Sequence, residues 1–267
     1  MTPREVRSWG GLPVADLKRR WGRESVHAYG LVDSTQTVAR AAADSGAPDG
    51  TIVLARAQRA GRGRGDHEWQ SPEGAGLYLS MVFRPGRLDV APLATVLAGL
   101  GVAIELERRF PGLHPLLKWP NDLIARERKL GGILVEQSRD GRGTSQLVVG
   151  VGINLDIDLL PDAVSSRAVG VSQCVNADLA AIADAAVHGL GRWMTDIPET
   201  LDEATLVELD RLDWLKGRRL AWTSSGAEPV RGTGAGIAPD GALLIRPDRG
   251  ALRRVITGSI EPEGGRE

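Results

Sequence analysis

Several short segments of the 267-residue chain concentrate residue types that can do chemistry. Gln58-Arg59-Ala60-Gly61-Arg62-Gly63-Arg64-Gly65 alternates glycines with arginines. The glycines let a backbone approach a ligand closely. The Arg62 and Arg64 guanidinium groups match phosphate or carboxylate oxygens. The tract lacks the Gly-Lys-Ser/Thr of a Walker loop, and its arginines stand in the wrong places for a Rossmann fingerprint. Taken alone, it also has the composition of a solvated surface loop. Lys118-Trp119-Pro120-Asn121-Asp122 gathers a lysine, an amide and a carboxylate within five residues. Pro120 cannot donate to a sheet ladder and so turns the strand. Such a set could hold a polyphosphate, with Asp122 offering oxygen to Mg²⁺; a plain Pro-Asn-Asp turn uses the same residues. Lys129 opens the apolar run Leu130-Gly131-Gly132-Ile133-Leu134-Val135, where two glycines imply close approach to the strand. Gly150-Val151-Gly152-Ile153-Asn154 repeats that pattern.

The elements that must carry these segments are an interleaved set of strands and helices. Ser25 to Val32 reads as a strand, and Asp33-Ser34-Thr35 supplies N-cap oxygens for a helix ending near Gly46. Thr51–Ala57 and Gly76–Phe83 read as buried strands. From Pro92 to about Arg109, Leu93, Val96, Leu97, Leu100 and Ile104 recur at helical spacing. Leu116–Trp119, Asp122–Ala125 and Lys129–Gln137 suit antiparallel pairing, with Arg126-Glu127-Arg128 as a polar hairpin tip. Gln146–Leu155 is a further strand, and helices follow over Asn176–Met194 and Asp202–Leu215. After Lys216-Gly217 come short strands at Leu220–Thr223, Val230–Ile237, Ala242–Ile245 and Arg253–Ile256, which predicts a small β-barrel. The first 20 residues or so read as loosely held.

Composition sets outer limits. Lys plus Arg number 33 against 34 Asp plus Glu, so bulk charge gives no attraction to nucleic acid or anionic membrane. No apolar run approaches the about 20 residues that span a bilayer, and the N-terminus lacks a signal-peptide core. One cysteine, Cys174, allows no internal disulfide, so a cytoplasmic setting is expected. His27, His67, His114 and His188 have no metal-ligand spacing and read as structural or solvated. No Ser-His-Asp arrangement stands out in the sequence.

In this order the segments resemble the biotin protein ligases. The match runs from Asp33-Ser34-Thr35 through Gln58…Arg64…Trp69, Lys118–Asp122 and Arg128–Leu134 to Gly150–Asn154, and covers roughly residues 26 to 260. Its most specific part is Lys118–Asp122 followed, eleven positions after Lys118, by Lys129-Leu130-Gly131-Gly132. The resemblance implies an α/β (α+β) fold: a mixed sheet backed by helices at 26–215 and an SH3-like β-barrel at 216–267, behind an extension at 1–25. It implies ATP-dependent biotinylation of a lysine on the carrier domain of a biotin-dependent carboxylase, through biotinyl-5′-AMP. Lys129, Arg62 and Arg64 would be catalytic. Ser34, Thr35, Gln36, Gln58, Gly61, Gly63, Gly131, Gly132, Gly150 and Gly152 would bind biotin. Lys118, Asn121, Asp122 and Asn154 would bind ATP, with Mg²⁺ on Asp122, and the Arg-Gly loop would order on ligand binding.

Some positions depart from the family pattern. Gln36 stands where asparagine is usual, Asp66 and His67 where glycine and arginine are, and Gly258-Ser259-Ile260 where Gly-Glu-Val is. The segment Ser165–Ser172 only loosely echoes the family, so no adenine lid is assigned. About 25 residues precede the ligase-like core, too few for the DNA-binding domain of the bifunctional members, so no nucleic acid is expected. An exposed sheet edge could pair, leaving a homodimer open. Rival readings are a lipoate or octanoate ligase, or a catalytically weak biotin-binding paralogue.

Overall fold

The computed structural model describes residues 3–65, 67–85, 90–139, 143–224 and 228–263. A short hairpin, β1 (Ser8–Trp9) and β2 (Leu12–Pro13), leads into α1 (Val14–Trp21). A parallel β-α-β unit follows: β3 (Val26–Val32), α2 (Thr35–Asp44) and β4 (Ile52–Gln58). Next come β5 (Gly76–Phe83), α3 (Ala91–Arg109), β6 (Leu116–Lys118), β7 (Asp122–Ala125), β8 (Arg128–Arg139) and β9 (Ser145–Asn154). These strands form a seven-stranded mixed sheet of order β3-β4-β5-β9-β8-β7-β6. The turn α4 (Asp162–Ser165) precedes α5 (Leu179–Trp193) and α6 (Glu203–Leu212). Last come β10 (Arg219–Thr223), β11 (Val230–Ile237), β12 (Leu243–Pro247), β13 (Arg253–Val255) and β14 (Ser259–Pro262).

Strand alternation divides the sheet's side chains between two cores. Ile52, Leu54, Met81, Phe83, Leu147 and Val149 point to one face, where they join the α3 and α5 residues in the main core. Gly101 and Gly189 let those two helices touch, since a Cβ on either would lie 2.4–2.5 Å from the other's carbonyl oxygen. Val53, Val82 and Val148 point to the opposite face and meet Ala39 and Ala43 of α2. Ser34 caps α2 by accepting from Gln36 N–H at 3.2 Å. The helix therefore starts part-way along the sheet, and the rest of that face is left for the cleft.

Residues 3–20, expected to be loosely held, are anchored. Trp9 and Leu17 are fully buried and Trp21 nearly so. Trp9 Nε1 donates to Ala55 O at 3.2 Å, and Trp21 Nε1 to the buried Asp184 at 2.8 Å. Alternating tryptophan and charge in a short segment gives no clean periodicity, which hid this anchoring from the sequence. At the sheet edge His27 joins Ser25 (3.1 Å) and Glu5 (2.7 Å), an exposed hydrogen-bonded chain tying the N-terminal segment to β3. That Ser-His-acid juxtaposition is also invisible in the sequence, because Glu5 is 22 positions from His27.

The C-terminal strands form one antiparallel sheet, order β13-β12-β11-β10-β14, with no β13–β14 pairing among the described residues. The fifth strand, β14, falls in a stretch too short and polar to read as a strand in advance. The helix expected to reach Leu215 stops at Leu212, because Asp213 turns extended and Trp214 N–H bonds Leu117 O at 2.8 Å. No helix among the described residues is long and apolar enough to cross a membrane.

Two stability measurements check this packing. Trp9→Ala is expected to cost about 3–5 kcal/mol in urea unfolding, as for other large buried aromatics; a loss below about 1 kcal/mol would mean the segment is peripheral. Burial pushes the Asp213 carboxyl up to about 6, from 3.8. The folded state therefore holds a proton that the unfolded state has lost between those pH values, and stability falls as pH rises through that window. Asp213→Asn keeps the oxygen that accepts from Leu215 N–H. It should stabilise the protein by about 1–3 kcal/mol at pH 7.5, with the gain shrinking toward pH 4.

Candidate active site

The face of β5, β9 and β8 that α2 leaves uncovered forms the floor of a cleft of about 1220 Å³. Continuing the register past Val148, the positions pointing here are Tyr78 and Ser80, Gly150 and Gly152, and Gly132 and Leu134. Glycines at these positions lower the floor by the depth of a side chain. A Cβ on Gly150 would lie 2.7 Å from Gln36 Oε1, and one on Gly152 2.6 Å from the Trp69 ring. Gly132 is different: its nearest neighbours, Trp69, Lys129 and Asp122, lie at 3.5–3.8 Å, so it borders open cleft. Gly131 points to the other face, where a Cβ would meet Gly152 O at 2.6 Å, and so serves the approach of β8 to β9.

One end of the cleft is an uncharged polar network. Gln58 Oε1 accepts from Thr35 N–H (2.8 Å) and Thr35 Oγ1–H (3.2 Å), and Gln58 Nε2 donates to Ser71 Oγ (2.7 Å). Ser80 Oγ donates to Thr35 Oγ1 (2.9 Å) and lies 3.1 Å from Gln36 Oε1. Gln36 Nε2 donates to Val148 O at 2.9 Å, so this side chain lies against the floor as a brace between α2 and β9. Ser34 spends its hydroxyl oxygen on the helix cap. Ser71 and Ser80 were not singled out from the sequence. Ser80 did leave a signal, as the lone serine in the middle of an entirely buried, otherwise apolar and aromatic strand.

The other end is cationic. Lys129 Nζ sits 2.6 Å from Asp122 Oδ1 and 5.5 Å from the centroid of the Trp69 ring. The Lys129 backbone is held by Arg167 O, Val169 N–H and the Asn154 side-chain amide. Asn121 Nδ2 donates to Ile133 O at 3.0 Å, bracing the 118–122 turn against β8. Burial lowers the Lys118 pKa below the usual lysine value; nearby Asp122 opposes the shift and Lys129 adds to it. Its ammonium lies 5.9 Å from the Trp214 ring.

The Arg-Gly loop folds back on itself. Gly63 N–H donates to His67 O and Trp69 N–H to Gly61 O, both at 2.8 Å. Gly61 has no room for a side chain, since a Cβ would lie 2.2 Å from Trp69 O. Arg62 makes a two-pronged pair with Glu136 (2.7 and 3.0 Å), and Arg64 donates to Gly258 O (2.9 Å) and Thr257 Oγ1 (3.3 Å). The loop is thus tied through its two arginines to β8 and to the 257–258 turn. Asp66 lies outside the described residues. Trp69 completes the cleft wall, with its indole N–H buried and unpartnered. Glu136, Thr257 and Gly258 are partners that sequence reasoning missed, because each lies more than 70 positions from its arginine. Among the described residues no group of three or more His, Cys, Asp or Glu could hold a metal ion.

Residues 29–154 match the Biotin/lipoate A/B protein ligase family. The bifunctional ligase/repressor BirA of Escherichia coli is 31% identical over 216 residues, which cover 79% of this chain and 66% of that protein. The biotin–[acetyl-CoA-carboxylase] ligase of Mycobacterium tuberculosis is 35% identical over 166 residues, covering 57% of this chain and 58% of that one. The chain belongs to this ligase family. It spans about half the length of some relatives, such as 45% of Bacillus subtilis BirA. The biotin protein ligase of Aquifex aeolicus, solved with biotin and ATP, has the same fold: TM-score 0.74 at 24% identity, covering 90% of this chain and 99% of that one. The family match ends at Asn154 and so contains the polar network, both lysines and the Arg-Gly loop. Ser80 is the residue on which the polar network turns. Ser80→Ala would leave Thr35 Oγ1 short of a donor and remove the hydroxyl beside Gln36 Oε1, with an expected loss of about 1–3 kcal/mol in urea unfolding. No loss would remove Ser80 from the network.

Proposed function

We propose that the protein biotinylates a lysine on a carrier domain of a biotin-dependent carboxylase, using ATP. The observation that carries this is the placement of an uncharged hydrogen-bonding pocket beside a cluster of cations on one glycine floor. Thr35, Gln58 and Ser80 suit a neutral ring that both donates and accepts, as the ureido ring of biotin does. Lys129, Lys118, Arg62 and Arg64 suit the carboxylate and phosphates. Ser34, Gln36, Gly61, Gly63, Gly131, Gly132, Gly150 and Gly152 shape or brace the biotin end. Asn121, Asp122 and Asn154 flank the nucleotide end.

In the first step a biotin carboxylate oxygen attacks the α-phosphorus of ATP, and the bond to the bridging oxygen breaks to release pyrophosphate. Both partners are anionic, so a positioned cation between them lowers the barrier, and this is the role given to Lys129. Arg62 and Arg64 would leave Glu136 and the Thr257-Gly258 turn to close over the phosphates, limiting hydrolysis of the mixed anhydride. In the second step the neutral amine of the carrier lysine attacks the acyl carbon. An amide forms, AMP leaves, and the amine's proton passes to solvent.

The donor set suits a Mg²⁺ that arrives on the triphosphate and keeps other ligands of its own. Asp122 would be the carboxylate that holds it. When bound, the ion would neutralise phosphate charge. The setting we infer is cytoplasmic, in line with a single cysteine; we assign no nucleic acid or membrane partner and leave a homodimer open. Residues 26–215 would carry the chemistry and 216–267 would support it.

Intact-mass spectrometry of a carboxylase carrier domain incubated with protein, ATP, Mg²⁺ and either biotin or lipoate tests this reading. One ATP-dependent biotinyl adduct is expected, with the rate reduced about 10²–10³-fold in Lys129→Ala. An adduct with lipoate alone, or biotin binding without any adduct, would overturn it.

A further inference from the structure

We propose that Glu127 and Arg218 are positioning residues for Lys129: the C-terminal sheet holds the turn that aims this lysine. The inference rests on the function assigned to Lys129 above, and its evidence is local geometry. Ala125 pairs with Arg128, so Arg126 and Glu127 form a two-residue hairpin loop between β7 and β8. Both have positive φ, 48° and 61°. This is the shape that Asn-Gly adopts readily and that other L-residues resist. Neither Arg126 nor Glu127 favours it, so the turn depends on an outside hold.

That hold comes from beyond the catalytic sheet. The Arg218 guanidinium grips the Glu127 carboxylate at 2.7 and 2.8 Å, and Trp214 Nε1 donates to it at 3.3 Å. Arg218 also stacks 4.4 Å from the centre of the Trp214 ring. Trp214 is itself fixed, nearly buried and bonded through its N–H to Leu117 O. Lys129 stands two residues after Glu127. The register slips there: Leu123 pairs with Gly131 but Ile124 with Lys129, so Leu130 is an extra residue on β8. Such a bulge re-aims its neighbours' side chains. Leu130 is fully buried, which fixes one end of the bulge, and the clamped turn fixes the other. Between them the Lys129 ammonium is brought to Asp122 and Trp69. An exposed ion pair adds little to global stability, so its effect here is on local aim.

Pyrophosphate release with biotin and ATP reads the clamp. Arg218→Ala should lower kcat for adenylation about tenfold with the biotin KM within about twofold. Two further backgrounds isolate the cause. In Arg126→Asn/Glu127→Gly the turn holds itself, so adding Arg218→Ala should cost no further rate. In Lys129→Ala the same addition should also cost nothing. Amide hydrogen exchange over 125–130 should speed up about tenfold or more in Arg218→Ala, without reference to catalysis. The proposal is overturned if Arg218→Ala keeps the wild-type rate, if its loss persists in either background, or if exchange at the turn is unchanged. A wild-type protein that forms no adenylate would instead sink the functional reading, and the exchange measurement would still decide this one.

Discussion

A sheet can expose a flat, deep floor only where its side chains are missing from one face, and the cleft depends on that constraint. On β9 the positions facing α2 run Val148, Gly150, Gly152. The valine closes the small core under the helix, and the glycines begin where the helix ends. Trp69 and Gln36 then approach the strand so closely that no Cβ fits beneath them. Strand period, helix length and glycine placement must agree to within one residue, because a slip of one would turn the valines into the cleft and the glycines into the core.

The second constraint is charge. Lys118, Lys129, Arg62 and Arg64 share one cleft, and like charges brought together out of water repel. Three of them have a partner group, each drawn from a different part of the chain. Asp122 holds Lys129, Glu136 holds Arg62, and backbone and hydroxyl oxygens of the 257–258 turn receive Arg64. Lys118 has its pKa lowered by burial. Such partners offset the repulsion and hold the cations in position.

The third constraint is mechanical. The cleft lies between the large sheet and the C-terminal sheet, and Trp214 sits at the joint, bonded to Leu117 on one side and stacked with Arg218 on the other. The N-terminal segment plays the matching part at the far edge, where Trp9 and Trp21 lock it to β4 and α5.

Much of this was legible in the residues. Strands at Gly76–Phe83 and Asp122–Ala125, the helix read from Pro92 and the Ser34 cap follow from local rules: alternation, 3.6-residue periodicity and a side-chain oxygen at a helix start. The segments around Arg62, Lys118 and Lys129 announced themselves because unusual residue types sit close together in sequence. Hidden were the pairings across long separations, such as Arg62 with Glu136, Arg64 with Gly258, and Glu127 with Arg218. Ion-pair geometry has no sequence period, so nothing local encodes it. The same holds for Trp9, whose role comes from what packs against it. Sequence determined which elements form and which side chains are available; only the tertiary structure decided which of those charges and hydroxyls meet, because burial and distance are properties of the folded chain.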